Sequence, residues 1–317
     1  MLLTVTMNPS VDISYQLDHF LIDDVNRVDR VIKTAGGKGL NVTRVAHQLG
    51  SEVIATGVLG GTIGQYITNQ LTETAISHDF YTINQESRNC IAILHEGKQT
   101  EILESGPTLS EEEADAFISH YEKLIANHPI SVITLSGSLP KGLTATVYKR
   151  LIAIANQNDI PVVLDTSGQT LEAILDDKTL KLAAIKPNRD EISALEGKVA
   201  GQEIDDWETI LFSERYNTCE WVIVSMGGDG AIAKHQADLY HVSIPVIQVV
   251  NPVGSGDSTV AGIAKAISEK RLPTELLKTA MTAGMLNTME AGTGQVNASL
   301  FDGYFDQVTV TKQLIKE

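Results

Sequence analysis

The sequence predicts an α/β fold: a mainly parallel sheet covered by helices on both faces, with a small β-sheet projecting from it. Three observations carry this. After residue 105, short apolar runs of strand character alternate with stretches of helical character, the pattern of a parallel sheet built from strand–helix units. Each run ends in Gly, Ser, Asp or Asn, as loops leading from strand to helix do. Two segments, about 12–34 and 87–104, instead look like hairpin material with no helix between strands.

The elements follow in order. In the second hairpin segment Cys90–His95 and Gln99–Glu104 flank a turn carrying Glu96 and Gly97, a turn pair suited to positive φ. Val132–Leu135 is a short buried strand, and a helix covers Ala145–Asn156. Pro161–Asp165, Leu182–Ile185 and Trp221–Ser225 repeat the strand signal. Ile244–Val250 reads as a further strand, and Thr259–Ala266 as a helix with one apolar face. In such sheets ligands gather at the carboxyl ends of the strands. The two hairpin segments together make a small sheet with edges and an apolar face to protect. A lid over a site, a contact with a second copy, or both would protect it; a decorative insertion is the alternative.

Composition narrows the function classes. The 317 residues are enough for one large α/β domain or two small ones, and 43% of them are apolar. Only 5% are aromatic, so Val, Ile, Leu and Ala build the core. With 24 basic and 40 acidic residues the formal charge is −16, which disfavours nucleic acid and anionic membrane as partners. Cys90 and Cys219 stand far apart, forming neither a disulfide framework nor a zinc spacing. The first residues are short and uncharged for a signal peptide, and no apolar run approaches a membrane span. A soluble, cytoplasmic chain is expected.

The strongest local signal is Asn251-Pro252-Val253-Gly254-Ser255-Gly256-Asp257-Ser258 ahead of a helix. Small residues at Gly254, Ser255 and Gly256 let main-chain N–H groups converge at a helix N-terminus, where an anion is favoured. Asp257 lies just inside this positive region, which is expected to keep it ionised, able to take a proton from a hydroxyl. A plain Asp cap after a glycine turn would look the same in isolation. A second signal is Ala35-Gly36-Gly37-Lys38-Gly39-Leu40-Asn41, running into a helical pattern. Its glycines allow close approach of backbone to ligand, and Asn41 can bind sugar hydroxyls. The position of Lys38 excludes a Walker A loop.

Third, Lys186-Pro187-Asn188-Arg189-Asp190-Glu191 follows a strand. Asn188 and Glu191 share one helix face, so they can hold a hydrated Mg²⁺, directly or through its waters, or simply cap the helix. Ser136-Gly137-Ser138-Leu139-Pro140 ends a strand where a loop can bind phosphate. Ser225-Met226-Gly227-Gly228-Asp229-Gly230 either borders a nucleotide or forms a tight hairpin turn.

Together with Thr6-Met7-Asn8-Pro9-Ser10-Val11-Asp12, these segments resemble the PfkB carbohydrate kinase family, motif by motif and in the family's order. The resemblance implies a ribokinase-like three-layer αβα sandwich over 1–317, with the 12–34 and 87–104 segments as its β lid and a homodimer made through that lid. It implies ATP and Mg²⁺ as cofactors and Asp257 as the base, with Gly254, Ser255 and Gly256 as the anion hole. Asp12, Gly36, Gly37, Lys38 and Asn41 would hold the sugar, Asn188 and Glu191 the Mg²⁺, and Lys186 would sit by the nucleotide phosphates. Ser225 and Gly227 would lie beside ATP and Asn287 near the adenine, with room for a monovalent cation near 251–257.

Within the family the chain is similar to the branch that acts on phosphorylated ketohexoses. There Arg27, Arg88 and Ser138 would bind the phosphate already on the substrate, a task suited to guanidinium forks. The stretches Lys33–Val45, Arg88–Gly97 and Asn251–Gly262 look like the tagatose-6-phosphate kinase subgroup of lactose and galactose breakdown. The alternatives are 1-phosphofructokinase and 6-phosphofructokinase of the same family, or a non-catalytic sugar-phosphate sensor. The chain departs from many members in having Ser255 in place of Ala and Pro252 in place of Thr. Ser255 keeps the loop small, whereas Pro252 offers no N–H.

Overall fold

The computed structural model describes residues 1–197 and 207–314, so the parts of the expected 1–317 unit at 198–206 and 315–317 lie outside the described residues. The chain opens with β1 (Leu2–Thr6), β2 (Ser10–Leu17), β3 (Arg30–Gly36), α1 (Lys38–Gln48), β4 (Val53–Gly60) and α2 (Gly61–Glu73). Next come β5 (Ser77–His78), β6 (Tyr81–Ile83), β7 (Arg88–His95) and β8 (Lys98–Leu103). The alternating part follows as α3 (Glu111–Asn127), β9 (Val132–Ser136), α4 (Ala145–Gln157), β10 (Val162–Asp165), α5 (Gly168–Leu175) and β11 (Leu182–Ile185). Then come α6 (Arg189–Leu195), α7 (Trp207–Leu211), β12 (Cys219–Ser225), β13 (Ala231–His235) and β14 (Asp238–Ser243). The chain closes with α8 (Ser255–Ser268), α9 (Pro273–Thr288), α10 (Phe301–Gln307) and β15 (Thr309–Leu314).

The large sheet runs β15-β14-β13-β12-β11-β10-β9-β1-β4-β5, with β6 also on β4. From β12 through to β5 neighbouring strands pair in parallel; β12 to β15 form an antiparallel edge. The strands of the centre are short and apolar on both faces, as burial by helices on both sides requires. Alternation decides which helices each residue meets. Leu3 and Val5 of β1 join the core beneath α3, α4 and α5, whereas Leu2 joins that beneath α1, α2, α8 and α9. Truncating such a fully buried leucine to alanine would cost about 2–5 kcal/mol.

Helix starts are locally specified. In α3 the Ser110 side chain accepts from Glu113 N while Glu113 reaches back to Ser110 N, with three glutamates in the first turn. Pro273 opens α9.

The second sheet has the order β3-β2-β7-β8, with β2 and β7 parallel and the outer pairs antiparallel. These strands are the two hairpin segments read from the sequence, and Glu96 and Gly97 occupy the β7–β8 turn with positive φ. Val31, Ile32, Ile102 and Leu103 are exposed on this sheet.

The expected strand at Ile244–Val250 does not form: β14 ends at Ser243 and 244–249 run as irregular chain. Pro245 cannot donate to a ladder. Val246, Val249 and Val250 stay exposed, and Val250 N and Asn251 N donate to Thr288 O instead. Among the described residues no helix is long and apolar enough to cross a membrane.

Candidate active site

The carboxyl ends of β1, β9, β10, β11 and β12 point to one side of the sheet, and two helix N-termini meet there. One belongs to α1, which begins at Lys38 behind Gly37 with φ 94°. The other belongs to α8, which begins at Ser255 behind Gly254. Gly254 has φ 84°, a left-handed conformation open to glycine, and a Cβ there would lie 2.6 Å from Thr293 Cγ2.

In the first turn of α8, Ser255 N donates to Pro252 O at 3.3 Å. Among the described residues the N–H groups of Gly256 and Asp257 have no acceptor. These unspent donors at the positive end of a helix form an anion cradle. Asp257, 8% exposed, receives Asn41 Nδ2 on its Oδ2 at 2.8 Å. The 36–41 and 254–257 segments, 216 residues apart at this bond, therefore share one site.

The ionised Asp257 expected from the helix N-terminus needs correction. Burial, and after it the negative charge of Asp165, push the Asp257 carboxyl up to about 7. The Asn41 hydrogen bond and the charges of Lys38 and Lys186 pull the other way without prevailing. A carboxyl group poised there is half ionised at neutral pH, in the range suited to proton transfer.

Two ammonium groups flank it. Lys38 Nζ lies 3.4 Å from Asp165 Oδ2; burial opposes its charge, but Asp165, Asp257 and Glu191 outweigh burial and raise its pKa. Lys38 thus faces the carboxylates of Asp165 and Asp257. Lys186 is 5% exposed, with no ion pair or hydrogen bond among the described residues, and a Cβ on Gly256 would lie 3.2 Å from its Nζ. A buried cation left unpaired beside an anion cradle is arranged for an anionic ligand.

At the glycine loop before α1, a Cβ on Gly36 would fall 2.1 Å from Asp12 Cγ, so glycine there lets the carboxylate lie against the backbone. Ser10 Oγ donates to Asp12 Oδ1 at 2.6 Å. Burial raises the Asp12 pKa, against the Ser10 and Gly37 hydrogen bonds and the charges of Arg44 and Arg88. Arg88 donates from Nε and Nη2 to Asn8 O and from Nη1 to Glu104 O, which fixes its guanidinium beside Asp12. Arg27 is exposed in the β2–β3 connection, without a bonded partner among the described residues. Ser138 is exposed in the loop after β9, next to Gly137, which packs against Lys38.

Asn188 and Glu191 form a reciprocal capping box: Asn188 Oδ1 accepts from Glu191 N and Glu191 Oε2 from Asn188 N, each at 2.8 Å. The capping alternative is therefore realised, and Glu191 still acts on Lys38 across the site. Among the described residues no group of three acidic, His or Cys side chains could cage a metal. One amide and one carboxylate fit a Mg²⁺ that keeps most of its waters and takes phosphate oxygens. Ser225 N donates to Pro187 O, and Gly227 is exposed in the turn of the β12–β13 hairpin. The 225–230 segment is thus the tight hairpin turn, set against the Lys186–Glu191 loop.

Asn287 is fully buried, donating to Val253 O and accepting from Gly294 N at 2.8 Å each. Its amide braces the Gly254 turn.

Two site residues escaped the sequence reading. Asp165, 2% exposed, has its Oδ2 paired with Lys38 Nζ. Its signal was a carboxylate closing an apolar strand at the ligand-bearing end of the sheet. Arg44, one turn after Asn41, donates to Asn41 Oδ1 and to three main-chain carbonyls.

Residues 5–299 match the family model described as pfkB family carbohydrate kinase. A tagatose-6-phosphate kinase of Staphylococcus epidermidis is 51% identical over 310 residues, 98% of this chain and 99% of that protein. Phosphofructokinase-2 of Escherichia coli in complex with potassium superposes with TM-score 0.88 at 24% identity, over 96% of this chain and 98% of that one. The same enzyme in complex with fructose-6-phosphate gives TM-score 0.86 at 23% identity, with the same coverage. These structural likenesses establish the ribokinase-like fold.

Proposed function

The chain belongs to the pfkB family of carbohydrate kinases, and on that premise we propose that it transfers the γ-phosphoryl group of ATP to C1–OH of D-tagatose 6-phosphate. The products are D-tagatose 1,6-bisphosphate and ADP, in the breakdown of lactose and galactose in the cytoplasm. The observation that carries this is the buried Asp257 carboxylate, held by Asn41 beside the unspent N–H donors of Gly256 and Asp257. The 51% identity to a tagatose-6-phosphate kinase supports the choice of acceptor.

Asp257 takes the C1 hydroxyl proton as the oxygen bonds to the γ-phosphorus. The bond to the bridging oxygen breaks, and ADP leaves with the electron pair. The Gly256 and Asp257 amides and the Lys38 and Lys186 ammonium groups hold the charge of the migrating group, so positioning and electrostatics supply most of the acceleration. Asn188 and Glu191 would hold Mg²⁺, in part through water, and the ion would supply neutralisation of the phosphate charge on ATP. Ser225 and Gly227 border the nucleotide, and the stretch near 251–257 would hold a monovalent cation. Asp12, Gly36, Gly37 and Asn41 hold the sugar; Arg27, Arg88 and Ser138 hold its existing phosphate.

The small sheet acts as a lid of a single domain. Its exposed Ile32 and Leu103, which share one face of the sheet, meet the same face of a second copy. Sedimentation velocity is expected to give a dimer; a monomer at micromolar concentration would remove this part of the proposal.

The test of the reaction is ADP release with tagatose 6-phosphate, fructose 6-phosphate and fructose 1-phosphate side by side. The expected kcat/KM is highest for tagatose 6-phosphate. A clear preference for either fructose ester would move the assignment to the corresponding phosphofructokinase, and release with none would leave a sensor. In the same assay Arg88→Ala is expected to raise the phosphosugar KM through about 1.5–3 kcal/mol of lost charged hydrogen bonding, with ATP KM little changed. An unchanged phosphosugar KM would place the substrate phosphate elsewhere.

A further inference from the structure

Arg44 lies behind the site, buried, within electrostatic reach of the Asp12 and Asp257 carboxylates and hydrogen-bonded to Asn41. Its guanidinium gives Nη2 to Asn41 Oδ1 at 2.6 Å and to Thr293 O at 3.1 Å. Nη1 goes to Ala35 O at 2.5 Å and Nε to Gly294 O at 3.1 Å. One planar fork thus joins three stretches: the start of the glycine loop at Ala35, the first turn of α1 at Asn41, and the 293–294 turn some 250 residues away.

Two consequences follow from donor and acceptor chemistry. A guanidinium has no acceptor atom, so the face of the Asn41 amide turned to Arg44 has to be its oxygen. The opposite face is then the NH₂ group, and that face meets Asp257 Oδ2. Were the amide reversed, its oxygen would confront a carboxylate oxygen and raise the cost of ionising the base. The second consequence runs through Gly294. Arg44 holds its carbonyl, while its N–H donates to Asn287 Oδ1 and Asn287 Nδ2 holds Val253 O, one residue before Gly254. The anion-cradle turn is therefore tied back to α1 through the same guanidinium.

We propose that Arg44 is a positioning residue of the phosphoryl-transfer site: it fixes the Asn41 amide so that it donates to Asp257, and it locks the Gly254 turn to the sugar-binding loop. The proposal rests on Asp257 being the base. It leaves Asp257 Oδ1 as the atom that takes the hydroxyl proton, since Oδ2 is occupied by Asn41.

The charged groups around Asp257 are Asp165 from β10, Lys38 and Arg44 from α1, and Lys186 from the end of β11. Arg44→Lys keeps the positive charge but loses the fork, so it separates orientation from charge. The test is the titration midpoint of Asp257, followed by carbon NMR in the chain labelled at aspartate Cγ and assigned by its loss in Asp257→Asn. The measurement is repeated in Arg44→Lys, Asn41→Ala and the double variant. The expected result is an upward move of roughly half a unit to one unit in Arg44→Lys, with the acid limb of kcat/KM moving in step. In the Asn41→Ala background the same substitution should move the midpoint by less than half as much.

An unmoved midpoint with only a lower melting temperature would overturn the proposal, as would a shift of equal size with and without Asn41. If Arg44→Lys does not fold, Arg44→Gln in the same cycle reads the same coupling. The midpoint needs no turnover. A wild-type chain inactive on every phosphosugar would thus count against the proposed reaction, while this measurement still decides the role of Arg44.

Discussion

Asp257→Asn is expected to lower kcat by roughly 10²–10⁴ while leaving ATP binding nearly intact. The amide keeps the size of the carboxylate and a partner for Asn41, so the loss isolates the proton acceptor. The wild-type pH profile carries the same information. With its pKa raised to about 7, the carboxyl is competent above that pH and protonated below it. Therefore kcat/KM should rise through an acid limb near neutrality and lose about tenfold per unit further down. The limb should vanish in Asp257→Asn.

Stability should move oppositely. The native state holds this proton from about pH 4 to 7 where the unfolded chain has released it, so stability falls as pH rises through that window. Asn carries no charge at any pH, and the variant should melt higher than wild type at pH 8. A wild-type rate in Asp257→Asn, or a melting temperature lowered at pH 8, would contradict the role and burial assigned to this group.

Gly254→Ala is expected to lower kcat by roughly 10²–10³, the range for losing a preorganised anion donor. Two costs meet at one atom. The φ of 84° holds an L-residue in the left-handed region, worth about 1–2 kcal/mol. The added Cβ would also stand 2.6 Å from Thr293 Cγ2 and 3.1 Å from Gly294 N. The threonine methyl belongs to a turn pinned by Arg44 and the other neighbour is backbone, so neither yields cheaply. The Gly254 turn itself must shift, and with it the Gly256 and Asp257 N–H groups. Circular dichroism should remain that of the wild type. Unaltered kcat would mean that these amides do not face the migrating phosphorus.

Much of the site was legible because its chemistry is packed into local strings. Gly254–Asp257, Gly36–Asn41 and Lys186–Glu191 each pair a tight turn with a helix start, and such turns are specified by the residues that form them. What could not be read is what depends on distant partners. Arg44 looked like a polar position on an amphipathic helix, because nothing local announces that the Thr293 and Gly294 carbonyls arrive beside it. Asp165 was seen as a strand end, but its place next to Lys38 follows from the order β10-β9-β1. The expected charge state of Asp257 failed for the same reason: the helix N-terminus is local, whereas burial and Asp165 come from the rest of the fold. At 244–250 the apolar run was over-read, since Pro245 and the lack of a covering layer outweigh composition.

The account is tested most directly by phosphorus NMR of the product made from D-tagatose 6-phosphate, ATP and Mg²⁺, run in parallel with Asp257→Asn. It predicts a new phosphate ester on C1 formed one-for-one with ADP, and a rate at least a hundredfold lower in the variant. An ester at any other carbon, ADP released without the ester, or equal rates in the two proteins would contradict it.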